Sequence, residues 1–275
     1  MNALDAKHED LRRSLDELGR VLVCFSGGVD SSFLVRVARD VLGDRVVALT
    51  TVSPTNPEED TAEAIALARE LGLDHAVVRH NELDIPNYRE NPANRCYFCK
   101  STLYEIAAEQ AKRRAIPWIV DGINLDDLGD YRPGLQAAAE RAIRHPLAAA
   151  RLTKREIREI SRRLGLRTFD RPASPCLSSR FPYGTAITIE GLERVARAER
   201  WLRARGFREC RVRYFGERAR IEVPPADIAR LNAEPLRGEL AAALGTIGFA
   251  EVEVDPRGFR SGRLNEALRV TSSSY

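Results

Sequence analysis

The sequence has no apolar run approaching the roughly 20 residues that a membrane-spanning helix requires, which excludes an anchor of that kind. It also lacks a marked excess of charge of one sign. Its 43 lysines and arginines stand against 40 aspartates and glutamates, a net +3, too little to draw the chain onto nucleic acid or a membrane surface. A small-molecule substrate is the class this balance favours. Lysine itself is scarce: with only Lys7, Lys100, Lys112 and Lys154, nearly every cation is a guanidinium, suited to bidentate contacts with phosphate or carboxylate. Abundant alanine points to genome composition as the general cause. The opening stretch MNALDAKHEDLRRSL has charges at helical spacing and no apolar core of a secretory leader, so a cytoplasmic protein is expected. Cysteine is sparse and odd in number. Cys24, Cys96, Cys99, Cys176 and Cys210 argue against a disulfide framework in a reducing compartment and leave metal binding or catalysis as the first alternatives.

Short apolar runs alternate with helical patterns through the first half of the chain. Residues 21–25, 45–51, 75–80 and 118–122 read as buried strands, and residues 30–42, 57–71 and 96–115 as the helices between them. That rhythm predicts an α/β fold, a doubly wound parallel sheet with helices on both faces. A further helix over 153–164 opens with a capping-box pattern, Thr-Lys-Arg-Glu. The proline- and serine-rich stretch 168–184 then breaks the pattern, which places a domain boundary near 180. Beyond it, over 181–275, a helix at 189–205, strands at 209–215, 218–223 and 249–254 and short helices predict a smaller α+β unit. The terminal Thr-Ser-Ser-Ser-Tyr is expected to fray.

The stretch VLVCFSGGVDSS puts a glycine turn between a predicted strand and a helix N-terminus. Such a turn converges several backbone N–H groups, and the helix dipole, on one point, which is the physics of a phosphate cradle. Ser26, Gly27 and Gly28 allow close backbone approach, Ser31 and Ser32 offer hydroxyls, and Asp30 can orient a metal or fix the loop. A plain βα turn with an N-cap is the alternative. The pattern is neither a Walker A loop nor a Gly-x-Gly-x-x-Gly dinucleotide fingerprint. It resembles the SGGxDS loop of the PP-loop ATP pyrophosphatases, and this resemblance implies ATP cleavage between the α- and β-phosphates, adenylation of a carbonyl or carboxylate oxygen, and release of pyrophosphate.

In NRCYFCK, Cys96 and Cys99 share the start of a predicted helix beside Lys100, a setting that favours thiolate. Cys176 lies in the proline-flanked loop RPASPCLSSRF. Three thiolates and one open iron would suit a [4Fe-4S] cluster able to bind an exogenous sulfide; half a zinc site and an inert loop thiol are the alternatives for the separate pieces. Cys24 and Cys210 read as core packing. In CRVRYFG, Arg211 and Arg213 alternate along a strand onto one face, where an anion would relieve their repulsion, unless the strand is a solvated edge. DGINLDDLGDYRPG gathers Asp121, Asp126, Asp127 and Asp130 after a strand, at the sheet end where α/β ligands bind; one of them could hold Mg2+, with Asp127 and Asp130 the candidates, and Arg132 could meet developing charge. The alternative is a capped loop. His75 and His80 bracket a strand and read as structural.

SGGVDSS, NPANRCYFCKSTLY, DGINLDDLGDYRPG, PCLSSRFPYG and CRVRYFG occur in this order along almost the whole chain. The combination closely resembles the LarE family of ATP-dependent sulfur transferases, which act in synthesis of the nickel-pincer nucleotide of lactate racemase. The resemblance implies adenylation of the carboxylates of pyridinium-3,5-biscarboxylic acid mononucleotide and replacement of the activated oxygen by sulfur. It implies ATP and Mg2+, a homohexamer, the substrate phosphate on Arg211 and Arg213 with Arg180 as helper, and a secondary metal site at Glu199 and Glu222. Two sulfur routes exist in such a family. The presence of Cys96, Cys99 and Cys176 favours a catalytic [4Fe-4S] cluster over sacrificial transfer from Cys176, which leaves dehydroalanine. A tRNA thiolase of the same superfamily should add a basic RNA-binding extension or zinc-ribbon cysteines, an amidating ligase leaves the three cysteines unexplained, and a regulatory ATP-binding module would not turn over. The sulfur donor is left open.

Overall fold

The computed structural model of the chain describes residues 2–129 and 133–260. Asp130, Arg132 and the terminal Thr-Ser-Ser-Ser-Tyr lie outside the described residues. In chain order the elements are α1 (Ala3–Leu18), β1 (Val21–Cys24), α2 (Val29–Leu42), β2 (Val46–Val52), α3 (Glu58–Glu70), β3 (Asp74–Arg79), α4 (Pro86–Arg89), α5 (Arg95–Arg113) and β4 (Trp118–Val120). Then follow α6 (Pro133–Glu140), α7 (Pro146–Ala149), α8 (Lys154–Arg163) and α9 (Ile189–Ala204). The chain continues with β5 (Arg211–Phe215), β6 (Arg218–Glu222), α10 (Pro225–Asn232), α11 (Leu236–Ile247) and β7 (Glu251–Val254). These elements divide between two compact units, one comprising 2–82 and 94–174, the other 83–93 and 175–260.

The first unit is the expected α/β sheet: four parallel strands in the order β3-β2-β1-β4. Because successive side chains of a strand point to opposite faces, β1 feeds two cores at once. Val21 and Val23 join Leu11, Leu15, Phe33, Leu34, Leu67 and Ile157, while Leu22 and Cys24 join Tyr104, Ala107, Ala111 and Ala137. Burial on both sides is why β1 reads as an unbroken apolar run. The chain reverses its direction across the sheet beside β1, and the carboxyl ends of the strands at such a reversal are where ligands of such sheets bind.

Helix α8 begins with the expected capping box: Thr153 Oγ1 accepts from Glu156 N at 3.3 Å, and the Glu156 carboxylate accepts from Thr153 N at 2.9 Å. Lys7 Nζ donates to the same carboxylate at 2.8 and 2.9 Å. Burial would raise the Glu156 carboxyl, but Lys7 and Thr153 hold it down at about 2. A folded-state value below the unfolded one favours the folded state once the group is ionised. The contribution is therefore complete above about pH 4.5 and lost as pH falls toward 2. Lys7→Met is expected to lower the urea midpoint at pH 7 and to flatten its fall between pH 4.5 and 2.

The second unit contains a three-stranded sheet, β5-β6-β7, antiparallel between β5 and β6 and parallel between β6 and β7, packed on Leu202, Phe207, Leu240, Leu244 and Phe249. The segment 83–93 belongs to this unit although it is distant in sequence. Tyr88 Oη and Ser178 Oγ, 90 residues apart in the chain, lie 2.7 Å from each other. Asn91 Nδ2 donates to the carbonyls of Pro182 and Thr185 at 2.7 and 3.0 Å. Asn91 is itself left-handed, at φ 57°, and its carbonyl accepts from Gly184 N.

Candidate active site

At the carboxyl end of β1, Phe25 is held by Leu49 O, and its own carbonyl accepts from Thr50 Oγ1 at 2.7 Å. The chain then turns through Ser26, Gly27 and Gly28 into α2. Gly27 has φ +72°, and a Cβ there would stand 2.8 Å from Ala64 Cβ and 3.0 Å from Ala64 Cα, so both backbone conformation and space demand glycine. Gly28 is the N-cap of α2 and no side chain caps the helix. The turn thus leads into a helix N-terminus that no side chain caps. Ser26 Oγ and Ser31 Oγ are 3.1 Å apart, and Ser31 Oγ also reaches Gly28 O at 3.3 Å, which shapes the turn from inside. Ser32 is fully buried, with a hydroxyl that makes no hydrogen bond.

Three further groups brace this turn. A Cβ at Gly122 would lie 2.9 Å from Ser31 N, so the chain after β4 presses on the first turn of α2. Arg171 Nη1 donates to Gly27 O at 3.0 Å while its Nη2 donates to Asp60 at 2.6 Å, and Ser174 Oγ meets the other Asp60 oxygen at 2.5 Å. Asp30 is ion-paired with Lys154, and burial raises its carboxyl against the pull of that ammonium. Its second oxygen, Oδ1, is buried.

The aspartate loop after β4 divides its labour. Asp121 is buried, accepting from Tyr104 Oη at 2.7 Å and standing 2.7 Å from His145 Nδ1. Burial opposes its ionisation, but His145 and the Lys100 charge bring it below the ordinary carboxylate range. Asp126 caps α8 through Lys154 N at 2.8 Å, and Asp127 accepts from Asn124 N at 3.0 Å.

Cys96 and Cys99 occupy the first two turns of α5, Cys96 exposed and Cys99 half-buried with Sγ 3.9 Å from Glu82 Oε1. Cys176, in the second unit, is half-buried at the N-cap of a tight turn, Leu177–Arg180, and its carbonyl accepts from Ser179 N and Arg180 Nη1. All five thiols are free of disulfides. In number and kind the three accessible thiols fit the donor set of a [4Fe-4S] cluster with one open iron. Among the described residues, however, no three His, Cys, Asp or Glu side chains are gathered as a metal site. Cys24 and Cys210 are buried, and burial, reinforced by Asp121 and Glu199 respectively, pushes each thiol up to about 12, which keeps them protonated core residues.

Arg180, expected beside a substrate phosphate, is instead fully buried. Its Nε and Nη2 clamp Glu199 at 2.7 and 2.9 Å, while Nη1 holds Pro175 O, Cys176 O and Ser179 Oγ. Its guanidinium therefore anchors the Cys176 turn. Glu199 and Glu222, expected as a secondary metal site, are held by guanidiniums: Glu199 by Arg180 and Arg203, Glu222 by Arg213 at 2.8 Å. Arg211 and Arg213 sit two apart on β5 as expected. Arg213 donates to Ser179 O, and burial, then the Arg180 charge, lowers the Arg211 guanidinium to about 10. Arg180, Arg203, Arg211 and Arg213 thus lie with Glu199 and Glu222 in one cluster of charges. Sequence reasoning missed Lys154, Arg171, Asp60 and His145. Only Lys154 had a signal, as a rare lysine at the start of a capped helix; the others are ordinary residues until the fold assembles them.

Among the described residues, no helix is long and apolar enough to cross a membrane. A family model for NAD synthase matches residues 7–114. The chain is 48% identical to an uncharacterized protein of Synechocystis over 96% of its own length and 99% of that protein. It is 36% identical to the pyridinium-3,5-bisthiocarboxylic acid mononucleotide synthase of Lactiplantibacillus plantarum, over 98% of this chain and 97% of the synthase. An uncharacterized protein of Methanocaldococcus jannaschii is 29% identical over 88% of this chain and 91% of that protein. With a bare glycine turn at the carboxyl end of a parallel sheet and end-to-end identity of this order, the chain belongs to the LarE family of PP-loop, ATP-dependent sulfur transferases.

Proposed function

We propose that the protein uses ATP to convert the two carboxylates of pyridinium-3,5-biscarboxylic acid mononucleotide into thiocarboxylates, for the nickel-pincer nucleotide of lactate racemase. The observation that carries this reading is the uncapped Gly27–Gly28 turn in a chain matched over 98% of its length by a synthase named for the bisthiocarboxylic product. In the first half-reaction a substrate carboxylate oxygen attacks the α-phosphorus, the bond to the β-phosphate bridging oxygen breaks, and pyrophosphate leaves. The α2 N-terminus stabilises the negative charge accumulating on that leaving group. Mg2+ would enter with the triphosphate, and Asp30, in the first turn of α2, and Asp127, in the loop after β4, are the described carboxylates that would hold it. In the second half-reaction a sulfide equivalent adds to the acyl-adenylate carbonyl and AMP departs, leaving the thiocarboxylate. The guanidiniums of Arg211 and Arg213, two apart on β5, suit the substrate's 5′-phosphate.

Cys96, Cys99 and Cys176 would hold a [4Fe-4S] cluster, which when bound supplies an exogenous sulfide on its open iron. The fixed presentation of Cys176, on a turn held from within by Arg180, supports a second route. There, Cys176 thiolate displaces AMP to form a thioester, and elimination across its Cα–Cβ bond breaks the Cβ–S bond and loses the α-proton, yielding thiocarboxylate and dehydroalanine at 176. Iron and acid-labile sulfide after strictly anaerobic purification and reconstitution distinguish the two. About four of each per chain in wild type, lost in Cys96→Ala, is the expected result. Absence of iron in both, with a loss of about 34 Da at Cys176 after turnover as expected for removal of hydrogen sulfide, would establish the sacrificial route.

The active form is further proposed to be a homohexamer, as the resemblance implies, and the protein to be cytoplasmic. Sedimentation of the purified full chain tests the oligomer directly.

A further inference from the structure

Glycine at two successive positions leaves the peptide between them free to turn over. Gly27 sits at φ +72° and Gly28 at φ −73°, ψ 169°, and neither has a side chain to oppose a flip of the Gly27–Gly28 peptide. A trans peptide is planar, with its C=O and N–H pointing opposite ways. One orientation therefore offers an anion the Gly28 N–H, and the flipped one offers it the Gly27 carbonyl, which repels it. A group outside the turn has to select between them.

Arg171 makes that selection. Its Nη1 donates to Gly27 O at 3.0 Å, which fixes the carbonyl on the arginine side and turns the Gly28 N–H the other way, where the Ser26 hydroxyl engages it only at 3.4 Å. The guanidinium is itself held: Nη2 donates to Asp60 at 2.6 Å, and Ser174 Oγ holds the second carboxylate oxygen at 2.5 Å. Its backbone is fixed from α8, where Arg158 Nη1 and Nη2 donate to the carbonyls of Phe169 and Arg171 at 2.7 Å each, and Arg171 N closes a tight turn on Thr168 O. Asp60 lies one helical turn before Ala64, the residue that packs on Gly27, so one face of α3 sets both the closeness of the glycine turn and the direction of its peptide.

We propose that Arg171 is a positioning residue for adenylation: by holding Gly27 O it keeps the Gly28 N–H directed at the phosphates, without touching them itself. This rests on the reading of the Gly27–Gly28 turn as the ATP site. A simple brace between loop and helix would serve stability alone, whereas a peptide lock serves turnover as well.

The test is ATP–pyrophosphate exchange by the full chain with pyridinium-3,5-biscarboxylic acid mononucleotide, together with thermal melts, for wild type, Arg171→Met and Arg171→Lys. Arg171→Met is expected to lower kcat about tenfold or more and to leave KM for the mononucleotide within about threefold, because the misdirected donor serves the phosphates alone. Arg171→Lys keeps a cation that can reach one acceptor, so part of the loss should return. Exchange within about twofold of wild type in Arg171→Met, with a lowered melting temperature, would show a structural tie and overturn the assignment. Equal losses in Arg171→Met and Arg171→Lys at matched melting temperatures would overturn it too, as would a loss confined to KM for the mononucleotide. Absence of exchange in the wild type would remove the ATP-site reading itself, a result separable from any effect of a variant. Should Arg171→Met not fold, Asp60→Asn, which leaves the arginine in place but loosens its guanidinium, is expected to lower kcat by a smaller factor, and an unchanged kcat there would overturn the proposal.

Discussion

Gly27→Ala is expected to reduce ATP–pyrophosphate exchange by about a hundredfold or more while leaving the protein folded. Two costs act at one atom. An L residue at φ +72° is strained by about 1–2 kcal/mol. The new methyl would also stand 2.8 Å from Ala64 Cβ and 3.0 Å from Ala64 Cα, and a backbone atom on α3 cannot retreat as a flexible side chain would. The turn must move instead, and displacement of about an ångström at a phosphate cradle is enough for a loss of that size. Stability falls modestly because α2 keeps its packing through Phe33, Leu34 and Val37. Exchange assays with substrate carboxylate and thermal melts on the same preparation separate the two effects. The pair Gly27→Ala with Ala64→Gly removes the clash with the Ala64 methyl but not the strain, so partial recovery is the further expectation. Exchange within about threefold of wild type in the single variant would contradict the cradle.

Glu199→Ala is expected to destabilise the second unit by about 3–5 kcal/mol, the cost of leaving a buried charge without its partner. Glu199 and Arg180 are both fully buried, and the same carboxylate also accepts from Arg203 Nη2 and Val212 N. Burial opposes ionisation of Glu199, but Arg180, Arg203 and Arg211 outweigh it and hold the carboxyl below its ordinary value. Its stabilising contribution is therefore present above about pH 4.5 and lost as pH falls through the lower folded value. Because Arg180 also holds the carbonyls of Pro175 and Cys176, Arg180→Ala should loosen the turn that presents the Cys176 thiol. Faster alkylation of Cys176 by iodoacetamide is the readout, alongside the urea midpoint. The double replacement Arg180→Met with Glu199→Met should lose less than either single change, since it leaves no unpaired charge within the pair. Additive losses in that cycle would mean the pair is not one buried unit.

The elements of the first unit were legible because their signals are local. Strands buried on both faces read as unbroken apolar runs, and β1, β2 and β3 formed within a residue or two of expectation. The capping box at Thr153 states its helix start in four consecutive residues. The glycine turn was equally readable, because the left-handed glycine and the helix start that follows it lie within one short stretch. The arginines were not. With guanidiniums everywhere, nothing local separates Arg180, buried on Glu199, from Arg213 at the sheet, or marks Arg171 as the brace of Gly27.

By itself, then, the sequence determined the α/β fold and the glycine turn, which depend on patterns along the chain, and its ordered motifs carried the resemblance to the family. Tertiary structure alone decided which charges meet: that residues 83–93 join the second unit, that Arg180 supports a turn from within, and that Lys154 faces Asp30 across 124 residues of chain. The physical reason is that an ion pair needs proximity and burial, and side chains far apart in sequence acquire both only when the cores that carry them close.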